Sequence, residues 1–200
     1  MTFEDIIRHL SPEDQKIVAD IMLLYEDIDR QTSGFALQTG LRCQAGCSQC
    51  CENPDIEATV TEVLPAAVRL WAEGQAQSYL EAIQGKDYKG GCIFYQPQYA
   101  NIAPGCCRMY AFRPGLCRLF GFSARRDKYG RGALITCKII KADQGEVCSR
   151  AQEQLHQGLA APLLSLYSLR VADIDPASGR KLLPINQAIS LALEKVGFVV

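Results

Sequence analysis

The chain has only two histidines, almost no net charge and no long apolar run, and each shortage excludes a class of protein. Its 21 lysines and arginines stand against 22 aspartates and glutamates, a net charge of −1 that speaks against a general nucleic-acid binder. The N-terminus is acidic, where a signal peptide needs a basic region before an apolar one. No apolar run is long enough to span a bilayer. We therefore expect a cytoplasmic protein without nucleic-acid or membrane partners.

Sequence motifs of several enzyme classes are also missing. The chain has no glycine-rich phosphate loop between a strand and a helix, no serine nucleophile elbow and no HExxH zinc motif. These motifs therefore identify no catalytic residue, and they leave open whether the chain is an enzyme.

The residue in excess is cysteine, with ten in 200 residues. The remaining composition, 48% hydrophobic and 22% charged, is that of a globular protein. A chain of this length buries enough surface to fold without cross-links, so the cysteines are not needed for stability alone. In a reducing compartment, so many cysteines are typical of metal or redox sites rather than of disulfides.

Local patterns in the first half predict helices. Ser11 and Pro12 are typical of a helix start, and the apolar spacing that follows extends to about Arg30, within an N-terminal helical segment over residues 1–35. A further helix begins near Pro65, with Thr59 and Thr61 as candidate caps before it. Since proline is not tolerated deep inside a helix, the start is open by one turn. Residues 75–84 are predicted to be helical as well.

The middle of the chain, from Gly90 to about Gly132, has no clear period. Phe120–Ser123 and Ala133–Cys137 could pair as one short β-hairpin. Residues 145–170 return to a helical pattern, and a last helix opens at Pro184 in the C-terminal helical segment over residues 160–200. We expect a mainly α fold, in which residues 1–200 form a single irregular α-rich domain with a cysteine-rich metal-binding core.

Four cysteines lie within nine residues and form the pattern CxxxCxxCC; they are Cys43, Cys47, Cys50 and Cys51. Four thiolates in such a segment can converge on one ion at metal–sulfur distances of about 2.3 Å. A free cysteine can instead be a small buried hydrophobe, which we expect for one or two of the ten. The first three also match the spacing of radical S-adenosylmethionine enzymes, but Gln49 replaces the aromatic residue typical of that class.

Three further segments extend the pattern: Gly91–Phe94, Cys107–Phe120 and Cys148–Ala151. Together with the first four cysteines, they resemble the CxxCxxCC cysteine-cluster family, of the YkgJ type, which is described as zinc- or iron-chelating. The resemblance covers about residues 40–160. It implies eight metal ligands: Cys43, Cys47, Cys50, Cys51, Cys92, Cys107, Cys117 and Cys148. This chain departs from the pattern by one extra residue in the first spacing and by Cys106 and Cys137, which we expect to be bystanders.

Basic residues accompany the later cysteines. Residues 1–60 carry eleven acidic and four basic side chains, whereas residues 105–150 carry ten basic and three acidic. Two solvated faces of opposite charge would explain this distribution. Alternatively, arginines could donate to thiolate sulfurs and offset the charge of a bound metal or cluster. We assign that cofactor-binding role to Arg108, Arg113 and Arg118.

Two functional hypotheses follow. The first is a cytosolic protein that binds zinc or an iron–sulfur centre through the eight cysteines; passive metal storage would be a variant of it. The alternative is an iron–sulfur-dependent enzyme that modifies a protein substrate. The resemblance extends to a flagellin lysine N-methylase, so lysine methylation with S-adenosylmethionine is the example that it implies. The sequence does not distinguish zinc from iron–sulfur.

Overall fold

A computed structural model describes residues 1–44, 47, 49–85, 90–96 and 106–200. Within these ranges the chain forms ten α-helices, one 3-10 turn and six short strands. The helices are α1 Phe3–His9, α2 Pro12–Thr39, α3 Gln49–Glu52, α4 Val60–Ala72, α5 Ala76–Gln84, α6 Gly115–Leu119, α7 Lys138–Asp143, α8 Gly145–His156, α9 Leu164–Ile174 and α10 Ile185–Gly197. The strands are β1 Glu57–Ala58, β2 Tyr95–Gln96, β3 Cys106–Cys107, β4 Ser123–Arg126, β5 Gly132–Ile135 and β6 Leu183–Pro184, and the 3-10 turn is Tyr110–Phe112. The predicted α-rich, irregular fold is confirmed.

Two compact units make up the chain. The first unit contains Met1–Leu23, Gly46–Pro114 and Val171–Val200, and the second contains Leu24–Ala45 and Gly115–Arg170. Every strand pair lies within one unit and is antiparallel: β1 with β6 and β2 with β3 in the first, and β4 with β5 in the second. The expected subdivision into residues 1–35, 40–160 and 160–200 stays a prediction.

Helices α4 and α10 form the core of the first unit. Both bury most of their apolar side chains. The Trp71 indole N–H donates to the Leu193 carbonyl at 2.9 Å and ties the end of α4 to α10. At Gly197 an added Cβ would lie 2.6 Å from the Trp71 ring, so the two helices approach each other closely there. This pair of helices is the support on which the cysteine segments of the first unit are built.

The first of the two candidate caps, Thr59, is the one that starts α4, whereas the predicted end of α2 is wrong. Helix α4 begins at Val60, five residues before Pro65, because Thr59 and Glu62 form a capping box that fixes its first turn. Burial of the surrounding residues compensates for the backbone hydrogen bond that proline cannot donate. Helix α2 continues to Thr39 rather than ending near Arg30, because Phe35 is buried and holds the later turns against the second unit's core.

The second unit is built around the β4–β5 hairpin. Its register pairs Ser123 with Ile135 and Arg126 with Gly132, so the predicted hairpin is confirmed with a first strand that begins three residues later. The Gln152 side chain, from α8, accepts from the Leu134 N–H at 2.9 Å and donates to the Gly132 carbonyl at 2.8 Å. The hairpin is therefore fixed to α8 by both hydrogen bonds and apolar packing.

In the part of the chain that the structure describes, none of the helices combines the length and apolar character needed to cross a bilayer.

A buried carboxylate links two elements of the first unit. The Thr61 hydroxyl donates to Asp175 at 2.6 Å, and Asp175 is 6% exposed. Burial opposes ionisation of this carboxyl, but hydrogen bonds from Thr61 and from the Ser178 and Ala177 N–H groups outweigh it, so the pKa of Asp175 is lowered from 3.8. The ionised form therefore stabilises the folded state.

Replacing Asp175 by asparagine should lower the free energy of unfolding at neutral pH by about 1–3 kcal/mol, because hydrogen bonds to a buried charge are weakened. Since the folded pKa lies below the ordinary value of 3.8, this stabilisation is present above that pH and is lost as the pH falls through the folded pKa. Urea denaturation at several pH values measures the free energy of unfolding of the wild type and the variant. Asp173→Asn, exposed in the last turn of α9 two residues earlier, is the control, and equal effects of the two variants would contradict the assignment.

Candidate metal centre

Three chain segments of the first unit meet at one place. The first is α3, which carries Cys50 and Cys51; the second contains Gly91 and Cys92, and the third is β3. The Cys92 N–H donates to the Cys51 carbonyl at 3.0 Å, so the second segment lies directly against the end of α3. At Gly91 an added Cβ would lie 2.3 Å from the same carbonyl oxygen. Only glycine allows this approach, which explains its position immediately before Cys92.

Side chains from two other elements fix the same segment. The Asn186 amide, in the first turn of α10, accepts from the Ile93 N–H at 2.8 Å and donates to the Gly91 carbonyl at 2.9 Å. The Tyr95 hydroxyl donates to the Glu52 carboxylate at 2.6 Å. Asn186 was not recognised from the sequence, because a helix-start asparagine gives no sign of a partner 95 residues away.

The third segment is β3, which pairs with β2 so that Cys107 lies opposite Tyr95 and Cys106 opposite Gln96. The neighbouring Arg108 N–H donates to the Phe94 carbonyl at 2.8 Å and extends this pairing. Side chains alternate between the two faces of a strand, so Cys106 and Cys107 point in opposite directions. Cys107 is half-buried, and Cys106 is exposed with its thiol 3.8 Å from the Gln96 side-chain oxygen.

The result is a chain of hydrogen-bonded thiols. The Cys51 thiol bonds to both Cys107 and Cys50, and these two bonds, with burial, raise its pKa. The bond from Cys51 lowers the pKa of Cys50 to about 6 against the effect of burial, and it lowers the pKa of Cys107 as well. Burial raises the pKa of Cys92 to about 12, with the charges of Cys107 and Cys50 acting in the same direction. Four predicted ligands therefore form one electrostatically coupled group.

Arg113 places a positive charge near the thiols of this group. Its charge lowers the pKa of both Cys50 and Cys107, after the larger contribution of the Cys51 thiol. The guanidinium carbon lies 3.7 Å from the centre of the Tyr110 ring, which holds the side chain in place. This position agrees with the compensating role expected for Arg113, which stays a prediction.

The other two arginines have different surroundings. Arg118 is buried in the second unit, where it forms an ion pair with Asp29 and lies 4.1 Å above the Tyr25 ring. Arg108 is exposed and lines a cavity of the first unit. A part of the cationic excess therefore serves local packing, and the cofactor-binding role of these two residues stays a prediction.

The remaining cysteines are distributed over both units. Cys47 is half-buried in the first unit, and its neighbours at 45, 46 and 48 lie outside the described residues. Cys43, Cys117 and Cys148 belong to the second unit. Cys148 is buried and its thiol lies 3.8 Å from the Ile140 carbonyl, whereas Cys137 follows β5 and caps α7 by accepting from the Ile140 N–H at 3.3 Å. The division into eight ligands and two bystanders stays a prediction.

The side chains that meet here can be compared with the ligands that zinc and iron–sulfur centres prefer. Among the described residues, no group of three or more His, Cys, Asp or Glu side chains is arranged to hold a metal ion as the structure stands. The donors that do meet are thiols, three of them joined by hydrogen bonds, next to an arginine. Soft sulfur donors suit zinc and iron–sulfur centres, so the chemistry of the group fits the metals in question.

The chain belongs to the CxxCxxCC family, whose model, described as "Putative zinc- or iron-chelating domain", matches residues 42–152. This confirms the resemblance stated from the sequence, and all four coupled cysteines lie within the matched range. No curated protein and no solved structure matches the chain. The comparison with flagellin lysine N-methylase, and the enzyme hypothesis that depends on it, therefore stay predictions.

Replacing Gly91 by alanine should separate the Cys92 segment from α3, because the new Cβ would overlap the Cys51 carbonyl. We expect a lower melting temperature and less bound metal per chain after anaerobic purification. Gly145→Ala is the matched control, since a Cβ at that position in α8 meets nothing within 4 Å. Equal behaviour of the two variants would show that the close approach is unimportant.

Replacing Arg113 by methionine should weaken metal retention, because the thiolates would lose the cation that stabilises their charge. Competition with a chelator, followed by measurement of metal per chain, tests this. Arg125→Met is the control: Arg125 is also an arginine, but it is exposed and lies on the hairpin of the second unit. Retention equal to that of the wild type would remove Arg113 from the site.

Proposed function

We propose that the chain binds zinc or an iron–sulfur centre through a thiolate site whose core is Cys50, Cys51, Cys92 and Cys107. The observation that carries this proposal is the hydrogen-bonded contact of Cys107 with Cys51, residues that are 56 positions apart in the sequence. Membership of a family described as zinc- or iron-chelating supports the same function at the level of the whole domain.

Ordinary core packing does not account for these thiols. Cys50 is exposed and the other three are half-buried, whereas a cysteine that serves as a small hydrophobe is usually fully buried. Hydrogen bonds between thiols are also weak, since sulfur is a poor donor and acceptor. A group of polar thiols held together by glycine, asparagine and tyrosine contacts is better explained by a ligand that binds them jointly.

The charge balance between thiolates and a nearby arginine also supports the proposal. A divalent ion with four thiolates carries a net charge of −2, which is costly to place in a partly buried site without a nearby cation. Arg113 provides a positive charge that acts on Cys50 and Cys107. Bound metal would supply structural cross-linking of α3, β2 and β3, which contain few residues each and bury little apolar surface of their own.

The full ligand set in this proposal includes Cys43, Cys47, Cys117 and Cys148. Both zinc and iron–sulfur remain open at this level, and the expected compartment is the cytosol, where thiols stay reduced. A protein substrate belongs only to the enzyme hypothesis, and no particular observation favours it.

Adjacent cysteines of β3 provide the sharpest test. Cys107→Ser should reduce bound metal per chain, because it removes a thiol from the coupled group, whereas Cys106→Ser should leave metal content unchanged. Both variants change the same atom in the same strand, so effects on β-pairing are matched. Metal, acid-labile sulfide and the visible spectrum are measured after anaerobic purification. Loss of metal in Cys106→Ser with retention in Cys107→Ser would reverse the ligand assignment.

The same measurement identifies the metal. A colourless protein with zinc and no sulfide excludes the iron–sulfur centre, while sulfide and a charge-transfer spectrum exclude zinc as the resident metal. A wild-type protein without any bound metal would overturn the proposed function.

A further inference from the structure

A cavity of about 340 Å³ opens in the first unit, next to the cysteine group but separate from its thiols. It lies where the end of α4, the start of α5 and the segment after β3 meet. We call it the Arg108 cavity; it is lined by Arg69, Glu73, Gln75, Tyr79, Arg108, Met109 and Phe112. Its volume is within the range of roughly 300–1,000 Å³ that is usual for small-molecule sites.

Arg108 is held by its backbone rather than by its side chain. Its N–H donates to the Phe94 carbonyl at 2.8 Å, directly after β3, so the position of its Cα is fixed. Its guanidinium has no ion pair within the part of the chain that the structure describes. A fixed arginine that lines a cavity without an acidic partner is a site for an anion, and its planar group matches a carboxylate in particular.

The other two charges in the cavity cancel each other. Arg69 Nε lies 2.6 Å from Glu73 Oε1, at the end of α4. This pair keeps Glu73 from neutralising Arg108. The three charged residues together contribute a net charge of +1, which complements a ligand with a single negative charge rather than a dianion.

The accessible lining is mostly polar, with a smaller apolar part. Met109 is buried, and the Phe112 ring packs against Phe3 with ring centres 5.8 Å apart. The Tyr79 ring packs edge-on against Phe94 at 5.7 Å. Burial raises the pKa of Tyr79, so its hydroxyl keeps its proton at neutral pH and can donate to a ligand. An inorganic ion would leave the apolar side chains unused, whereas an organic anion would contact them.

Backbone hydrogen bonds fix the walls of the cavity. The Gln75 N–H donates to the Leu70 carbonyl at 2.9 Å and the Tyr79 N–H to the Gln75 carbonyl at 3.2 Å, which fixes the junction of α4 and α5. Phe112 is fixed in turn by its N–H, which donates to the Met109 carbonyl at 2.9 Å. Preformed positions reduce the entropy cost of binding a small molecule.

We propose that the Arg108 cavity binds a small organic monocarboxylate, with the carboxylate on Arg108 and the apolar part against Met109, Phe112 and Tyr79. This inference goes beyond metal binding and does not depend on it, because none of the lining residues is a thiol. Its failure is therefore distinguishable from a failure of the proposed metal site.

Binding of benzoate to the full chain, with uncharged benzamide as the matched probe, tests the proposal. Calorimetry and ligand-observed NMR measure affinity, and metal content is measured on the same samples. We expect saturable binding of benzoate and none of benzamide. Arg108→Met should weaken benzoate binding about tenfold or more, because a hydrogen-bonded charge pair is lost. Arg125→Met, on the hairpin of the second unit, should bind as the wild type does.

A second variant keeps the test valid if Arg108→Met fails to fold. Glu73→Gln raises the net charge of the cavity by one, so it should increase the affinity for phthalate, a dianion, more than for benzoate. Equal binding of benzoate and benzamide, benzoate binding unchanged in Arg108→Met, or no change of preference in Glu73→Gln would each overturn the proposal.

Discussion

The geometry of the cysteine group depends on one backbone contact, the hydrogen bond from the Cys92 N–H to the Cys51 carbonyl. This bond places the segment around residue 92 against a four-residue helix that could not hold a position by itself. Gly91 makes the approach possible and Asn186 secures it on both sides. The pairing of β2 with β3 then carries Cys107 to the same place. Without that first contact, Cys50 and Cys51 would lose their backbone link to the other two segments.

The protonated thiol of Cys51 determines the pKa values of the neighbouring thiols. The Cys51 thiol keeps its proton, and its contacts with Cys50 and Cys107 raise its own pKa and lower the pKa values of these two neighbours. The nearby guanidinium of Arg113 acts in the same direction. Repulsion among like charges is thereby limited, and sulfur atoms that would otherwise separate can remain in contact.

Residue types and local patterns predicted the helical class, the β4–β5 hairpin and the family, because each of these depends on residues close together in the sequence or on the motif of a family. The set of eight ligands stays a prediction. The start of α4 was left open by one turn because of Pro65, and the capping box of Thr59, one of the two candidate caps, decides it. Asn186 and the β1–β6 pair could not be foreseen, because they depend on contacts between distant segments. The roles of Arg108 and Arg118 likewise depend on surroundings that spacing does not reveal.

Asn186 also bears on how modular the metal-binding region is. It lies in α10, outside residues 42–152 that match the family, and α10 packs along α4 within that range. A fragment cut at residue 152 would keep all ten cysteines but would lack the amide that orients Gly91 and the helix that covers Trp71. The cysteine motif therefore depends on contacts from outside the matched residues and is not a self-contained module. Its surroundings include a C-terminal segment that lies outside the residues matching the family.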